Sequence, residues 1–340
     1  MVYYSLLYFT FVITLLFSVR FKHSYFYYCS ALLLAIFASV REFVGVDYKE
    51  YSELFPLVAS GANTQFEIAN NFLITVFYNL SGINAVFAFY SIATILIIAY
   101  SLTKISPSKE LSLFIFVFLT LFYLATFNHI RQWLAISIIM LGYGYLLEER
   151  NKSFFICILV APFFHLSVIF LSLFSLLLRY RLKEKLIQLI TIGGCIFGMF
   201  GFKVLEYTKY KVYLHEFGTF YFTYFVLFVF SLLQYFLFKK LKNKIHPFHY
   251  YIVNSLLLLF LSISLMVLYV GPPTLDGMRL METIFWIELV SIPYLIHLFE
   301  RKSKILVTLV FMSFLVFYNI TIMTSKGHDY KLLPFKSFIF

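Results

Sequence analysis

The sequence predicts an all-α, polytopic integral membrane protein with about 10–12 transmembrane helices and several short re-entrant or interfacial helices. The chain has 340 residues, of which 62% are hydrophobic and 13% charged, and a soluble core of this length needs far less apolar surface. Apolar runs of roughly 17–22 residues recur along it, the length at which a helix crosses the hydrocarbon of a bilayer. These runs lack the alternation of a transmembrane β-barrel.

We expect membrane-spanning helices at the runs 2–19, 24–40, 83–103, 111–127, 130–147, 186–202, 220–238, 249–270, 280–298 and 304–323. The first run has no basic n-region and no small-residue cleavage site, which predicts a retained helix and not a signal peptide. We expect residues 66–80 to form a short helix with several polar residues, which lies at the outer face or dips into the membrane and returns. Residues 154–178 are too long for one straight span and contain Pro162, which predicts a hairpin of two short helices.

Charge asymmetry predicts the orientation. Six connections carry most of the 27 Lys and Arg residues: 20–22, 104–109, 150–152, 179–185, 239–244 and 300–304. The positive-inside rule places them in the cytoplasm and the N-terminus outside. The net charge of +11 is therefore a topology signal that also attracts anionic lipid, and it does not predict a nucleic-acid partner.

On this topology, polar segments from the whole chain share the outer face. They are 41–51, 66–71, 127–132, 163–167, 271–279 and 325–335. Ionisable residues at membrane depth are costly, so they tend to be functional. We expect a single transmembrane domain over 1–340, with extracytoplasmic active-site loops at 41–66, 128–131, 203–219, 271–279 and 325–340.

Arg131 is the first candidate site residue. Asn128 is a good N-cap, which puts Arg131 at the third position of the helix that follows. A guanidinium beside a helix N-terminus suits a phosphate or diphosphate. The alternative is an Arg that reaches to the outer headgroups.

Arg279 repeats this pattern, since it follows a Gly/Pro loop and opens a helix with Glu282 one turn on. The alternative is an Arg279–Glu282 pair that only packs two helices. Arg41 ends a helix at the outer surface, where it either contacts substrate or anchors the helix at the interface.

His165 and Asp47 are the candidate bases. His165 lies at the tip of the inferred hairpin, where it could exchange a proton or simply hydrogen-bond the backbone to hold the bend. Asp47 follows Gly45 and could bind sugar hydroxyls, act as base, or form an Asx-turn. Tyr48 and Tyr51 are candidate stacking platforms for a sugar ring.

Several classes of site are not supported by the sequence. It contains no P-loop, HExxH, GxSxG or paired-Asp motif. Cys29, Cys157 and Cys195 lie inside apolar runs without metal-ligand spacing, which predicts core residues. We therefore expect no metal and no cofactor.

The outer segments, in this order, resemble the EpsG-like family of bacterial polysaccharide polymerases, related to the O-antigen polymerase Wzy. The matching stretches are REFVGVDYKEY (41–51), FE (66–67), HIRQWLA (129–135), FHLS (164–167) and Arg279 at the start of a late helix. The resemblance covers most of the chain. Val46 stands where the family's first motif often has Thr.

The resemblance implies a multi-spanning glycosyltransferase of the GT-C kind, in a bacterial inner membrane with its active site facing the periplasm. It would transfer a growing glycan from undecaprenyl diphosphate to the next lipid-linked repeat unit at the extracytoplasmic face. Arg131 and Arg279, with Arg41, would stabilise the departing diphosphate in place of a metal. His165 or Asp47 would accept the proton of the acceptor hydroxyl. The remaining substrate-binding candidates are Glu67, Asn128, His129, Gln132 and Glu282.

Other functions stay open at this point. A flippase for the same lipid would need polar residues at mid-depth, and Glu288 is the main one present. An O-antigen ligase would share the arginines and the base, whereas a scaffold would need neither. The pathway also implies a chain-length regulator and a flippase as partners.

Overall fold

The structure, a computed structural model, describes residues 2–62, 66–205, 221–270, 281–328, 331–333 and 335–338. The chain divides into two compact units, which are described separately. Unit 1 comprises Met1–Ile169 and Ile305–Phe340, and unit 2 comprises Phe170–Lys304.

Unit 1 is built from helices of very different length. They are α1 (Val2–Phe21), α2 (Ser24–Ser39), α3 (Tyr48–Ala59), α4 (Ile68–Ile105), α5 (Lys109–Phe118), α6 (Ile130–Leu147), α7 (Asn151–Val160) and most of α13 (Arg301–Lys326). Helix α4 packs against α2, α3 and α6, which makes it the centre of the unit. Aromatic residues of α3, including Phe55, are buried with Phe87 of α4.

Helix α4 turns back on itself at Ser81 and Gly82. Gly82 has φ +68 and ψ −160, a conformation that is essentially restricted to glycine. Phe77 and Phe89 stack across the turn with ring centroids 4.2 Å apart, so the two halves of α4 pack side by side. The structure therefore confirms a separate short helix before the span at 83–103.

The run 154–178 is also broken where Pro162 predicts. Helix α7 ends at Val160, two 3₁₀ turns follow at Ala161–Phe163 and Leu166–Val168, and α8 (Ile169–Arg179) begins after them. His165 lies between the two turns. That the two halves form a hairpin stays a prediction, because α8 belongs almost entirely to unit 2.

The prediction of one spanning helix at 111–127 is wrong. Helix α5 stops at Phe118, and the chain then makes turns that end in a 3₁₀ helix at Ala125–Phe127. The hydroxyl of buried Tyr123 donates to the carbonyl of Leu34 (2.9 Å), which ties this segment to α2. An apolar run cannot distinguish a span from a buried irregular segment whose polar groups are satisfied inside the protein.

The loop after α2 is paired with residues 331–338, here called the C-terminal tail. The amide of Glu42 donates to Lys336 O and the amide of Gly45 donates to Lys331 O, both at 2.9 Å. Arg41 and Ser337 form an isolated antiparallel bridge. The predicted outer loop and the predicted outer tail therefore meet.

Unit 2 contains α8, α9 (Glu184–Leu205), α10 (Tyr221–Lys239), α11 (Pro247–Val270) and α12 (Glu288–Ile296). Helix α11 packs against both α9 and α10. Residues 281–285 are helical and a turn precedes α12, so the described part of the predicted span 280–298 is interrupted.

Five described helices are long and apolar enough to cross a membrane: Val2–Phe21, Ile68–Ile105, Ile130–Leu147, Pro247–Leu268 and Arg301–Lys326. Shorter apolar helices accompany them in both units. The protein is thus all-α and polytopic, as the composition predicts.

Candidate active site

The candidate site in unit 1 centres on an ion pair between Arg131 and Glu67. Arg131 is the second residue of α6, and Glu67 immediately precedes α4. Nη1 of Arg131 lies 2.7 Å from Oε2 of Glu67, and the two side chains keep 18% and 21% of their surface exposed. The pair is therefore partly covered and still reachable.

Aromatic side chains flank the guanidinium of Arg131. Its Cζ lies 4.1 Å from the ring centroid of Phe66 and 5.9 Å from that of Tyr51. These contacts hold the planar group in one orientation. Nε of Arg131 is buried and has no hydrogen-bond partner among the described residues.

Glu67 also holds the segment that carries His165. Its Oε1 accepts from the backbone amide of Leu166 at 3.3 Å. The His165 ring contacts Ser167, since Nδ1 lies 2.7 Å from Ser167 Oγ and accepts from the Ser167 amide at 3.3 Å. Nδ1 therefore holds the local bend, the structural role considered for this histidine, and any base role would use Nε2.

Two buried residues complete the network, and sequence reasoning missed both. Asn70 Nδ2 donates to Glu67 Oε2 at 2.8 Å and to the carbonyl of Phe164 at 2.6 Å. The Tyr90 hydroxyl donates to Asn70 Oδ1 at 2.6 Å. Asn70 lies in the polar stretch 66–71, which the sequence marks as a candidate outer segment without indicating a role for this residue. Tyr90 lies in an apolar run, where nothing in the sequence indicates a polar contact.

Asn128 does not cap α6 as predicted. The helix begins at Ile130, His129 occupies the cap position, and no side-chain cap hydrogen bond forms. Asn128 Oδ1 instead accepts from the amide of Val46 at 2.7 Å, so it ties the loop after α2 to the start of α6. Gln132 is 1% exposed, which places it in the packing of α6.

The approach of this loop explains Gly45. Its φ is +108, and an added Cβ would meet Asn128 Oδ1 at 2.7 Å and the Phe127 carbonyl oxygen at 3.1 Å. A side chain at this position would be both strained and obstructed. Gly45 therefore allows the loop after α2 to approach Phe127 and Asn128 closely.

Arg41 does not lie at the surface as expected. It is 1% exposed, and its Nη1 donates to Ala38 O and Ser91 Oγ, both at 2.7 Å. Its guanidinium also packs over the ring of Phe127, 4.7 Å from the centroid. Burial lowers the pKa of Arg41 to about 10, which leaves it charged at neutral pH. Arg41 connects α2, α4 and the segment at Phe127, so we no longer propose that it contacts the substrate directly.

Asp47 and Tyr48 open α3. Asp47 occupies the cap position without a side-chain cap hydrogen bond, and its side chain is partly buried. Tyr48 is 2% exposed and stacks on Phe87 with centroids 4.3 Å apart. Tyr51 is also buried. Both rings pack in the core, and their contact with a sugar stays a prediction.

Arg279 lies outside the described residues, so its predicted convergence with Arg131 stays a prediction. Glu282 lies in the helical residues 281–285 of unit 2 and is partly buried. The predicted outer loops 203–219 and 271–279 also fall outside the described residues, apart from 203–205 at the end of α9.

Unit 2 contains an apolar cavity of about 600 Å³. Its lining comes from α8, α9, α11 and residues 281–285, and includes Phe170, Phe174, Gly194, Cys195, Met266 and Ile284. An added Cβ at Gly194 would meet nothing within 4 Å, in keeping with open space beside this glycine. The cavity suits a hydrocarbon chain.

Unit 2 also buries the carboxyl group of Glu288, which is 0% exposed and accepts a short hydrogen bond from Nε2 of Gln234. Among the described residues, no group of three or more His, Cys, Asp or Glu side chains could hold a metal ion.

A family model for the EpsG family matches residues 24–337, nearly the whole chain. No curated protein matches the chain, and no solved structure does either. The family implies a membrane protein of the polysaccharide-polymerase type, acting as a glycosyltransferase on lipid-linked oligosaccharide. Because the family model matches residues 24–337, this chain belongs to the EpsG family.

Proposed function

We propose that the protein transfers a growing glycan from undecaprenyl diphosphate to the next lipid-linked repeat unit, at the extracytoplasmic face of the inner membrane. One observation carries the proposal. A single carboxylate, that of Glu67, binds both the Arg131 guanidinium and the backbone amide beside His165. A cation for the leaving group and a candidate base are thereby held in one network.

The reaction makes one bond and breaks another. The acceptor hydroxyl oxygen bonds to the anomeric carbon of the donor, and the bond from that carbon to the diphosphate oxygen breaks. The electron pair leaves with the diphosphate, where Arg131 stabilises the charge that develops. The Glu67 pair holds the guanidinium in place before substrate binds, so little reorganisation is needed.

The proton of the acceptor hydroxyl goes to His165 Nε2 or to Asp47. His165 has the advantage of a segment anchored by Glu67 and by Asn70. Asp47 has a side chain without a cap hydrogen bond at the start of α3. With arginines in the role that a divalent cation fills elsewhere, we expect a metal-independent reaction.

The apolar cavity of unit 2, taken by itself, suits a polyprenyl chain, and we propose it as a place for the lipid part of the substrate. The chain would enter this cavity from the hydrocarbon of the bilayer, so van der Waals contact and not removal from water would favour its binding. A flexible chain can follow a cavity of about 600 Å³ lined mainly by Phe, Leu, Ile and Met side chains.

The test uses the purified full chain in lipid nanodiscs with synthetic undecaprenyl-diphosphate repeat units. We expect a ladder of lengthened lipid-linked glycans, unchanged by a chelator. Loss of the ladder on chelation, with recovery when Mg²⁺ is added, would contradict the metal-independent arginine mechanism. The assignment as a polymerase would still hold.

Arg131→Gln supplies the site test, and Arg150→Gln is its matched control. Arg150 loses the same charge, but its side chain is 56% exposed and pairs with Glu148 away from the site. We expect the ladder to disappear only in Arg131→Gln. A full ladder from that variant would remove Arg131 from the reaction.

A flippase for the same lipid is the second candidate, favoured by the buried Glu288–Gln234 pair of unit 2. In the same assay a flippase yields no lengthened product. A ligase yields transfer to a different acceptor and no ladder of repeat units.

A further inference from the structure

A second cavity of unit 2 brings together cationic and imidazole side chains. It has a volume of about 350 Å³ and is lined by Lys244, His246, His249, Tyr294 and His297, together with Leu241 and Ile245. These residues come from the connection between α10 and α11, the first turn of α11 and the end of α12. The cavity therefore forms where three elements meet.

The hydrogen-bonding groups of this cavity are mostly donors. Lys304 contacts Nδ1 of His297, and because an ammonium group can only donate, the ring proton of neutral His297 lies on Nε2. The rings of His246 and His249 lie 5.5 Å apart, and Nδ1 of His249 lies 3.4 Å from the Tyr294 hydroxyl. No acidic residue is among the described residues that line the cavity.

The positive-inside rule explains the lysines near this cavity but not its histidines. That rule acts through Lys and Arg. Three of the chain's eight histidines line this one cavity. Imidazole N–H groups and ammonium groups together form the donor set that binds phosphate oxygens.

We propose that this cavity is a binding site for a phosphate-bearing anion at the end of unit 2 that the charge pattern assigns to the cytoplasm. The anion is either the headgroup of an anionic lipid or free phosphate, since both offer the same oxygens. The site is separate from the proposed reaction and does not depend on it.

The test measures retention of phosphatidylglycerol by the full chain in detergent, by native mass spectrometry, with phosphatidylcholine as the reference lipid. A second arm measures thermal unfolding with inorganic phosphate against chloride at equal ionic strength. Retained phosphatidylglycerol identifies a lipid headgroup, and a higher midpoint in phosphate identifies the free ion. Either result supports the site. The absence of both effects would overturn it.

Variants separate the cavity from general surface charge. Lys244→Gln and His246→Gln change exposed lining residues, so the fold should persist. Lys242→Gln removes the same charge two residues away, outside the lining. We expect about tenfold weaker binding for Lys244→Gln and His246→Gln and little change for Lys242→Gln. Equal loss in all three would overturn the proposal.

Discussion

Two arginines of unit 1 lie near the same elements and have opposite surroundings. Arg41 is 1% exposed and donates to the carbonyl of Ala38 and the hydroxyl of Ser91. Arg131 keeps 18% of its side chain exposed and pairs with a carboxylate. Both leave Nε without a partner among the described residues, so that atom does not distinguish them.

The difference lies in what the charge is bound to. Neutral carbonyl and hydroxyl groups hold Arg41 in a closed pocket, where no ligand phosphate can reach it. Arg131 has a partner that an anionic substrate could share or replace, and an accessible edge. The partner and the access, more than burial alone, indicate which arginine can serve chemistry.

The largest expected effect comes from Arg131→Lys. Lysine keeps the charge but loses the planar fork that Phe66 and Glu67 orient. We expect polymerisation in nanodiscs to fall by about 10²–10³-fold with the thermal midpoint nearly unchanged. Near-normal activity would remove the distinction between the two arginines.

Arg41→Lys should give the reverse result. A lysine cannot reach all the acceptors of the guanidinium, so buried carbonyl oxygens lose their donors. We expect the free energy of unfolding to fall by about 2–3 kcal/mol. Thermal unfolding in detergent measures this change. Activity per folded molecule should stay near wild type, and a selective loss of activity would restore Arg41 to the site.

Tyr90→Phe tests the hydrogen bonds that hold Asn70 against Glu67. It removes the hydroxyl that donates to Asn70, so the segment before His165 is held less firmly. We expect turnover to fall by about tenfold while KM changes little.

Tyr27→Phe is the matched control for this variant. It removes an equally buried hydroxyl that donates to Ala99 O at 2.8 Å. A similar fall in turnover for Tyr27→Phe would mean that Tyr90 acts only through stability.

The smallest expected effect concerns the lipid cavity. Gly194→Leu should fill part of it and raise KM for the lipid-linked substrate by several-fold. Gly193→Leu is the control, because an added Cβ there also meets nothing within 4 Å but Gly193 does not line the cavity. Identical KM values for the two variants would separate this cavity from substrate binding.

Local signals predict the two breaks in the apolar runs. Pro162 predicts the interruption after α7, because proline restricts the backbone and removes a hydrogen-bond donor. The short run 66–80 with its polar residues predicts a helix separate from the span at 83–103, and Gly82 allows the turn between them because glycine tolerates a positive φ. The charge pattern and the motif order likewise led to the family. Glu67 and Arg131 were both chosen from sequence, although nothing in it indicated that they pair.

Long-range contacts caused the failures. Asn128 satisfied the rule for an N-cap, but the Val46 amide from a distant loop takes its side-chain oxygen. Tyr90 reaches Asn70 only because α4 turns back at Gly82. The depth at which Arg41 lies depends on packing by α4 and on the carbonyl of Phe127, neither of which is adjacent to it in sequence.

The pairing of the C-terminal tail with the loop after α2 bears on the order of biosynthesis. Residues 40–45 emerge from the ribosome before unit 2, whereas Lys331, Lys336 and Phe338, which hydrogen-bond them, emerge after it. Phe335 then stacks on Phe37 at 4.2 Å. These contacts of unit 1 can therefore form only after translation has passed through all of unit 2.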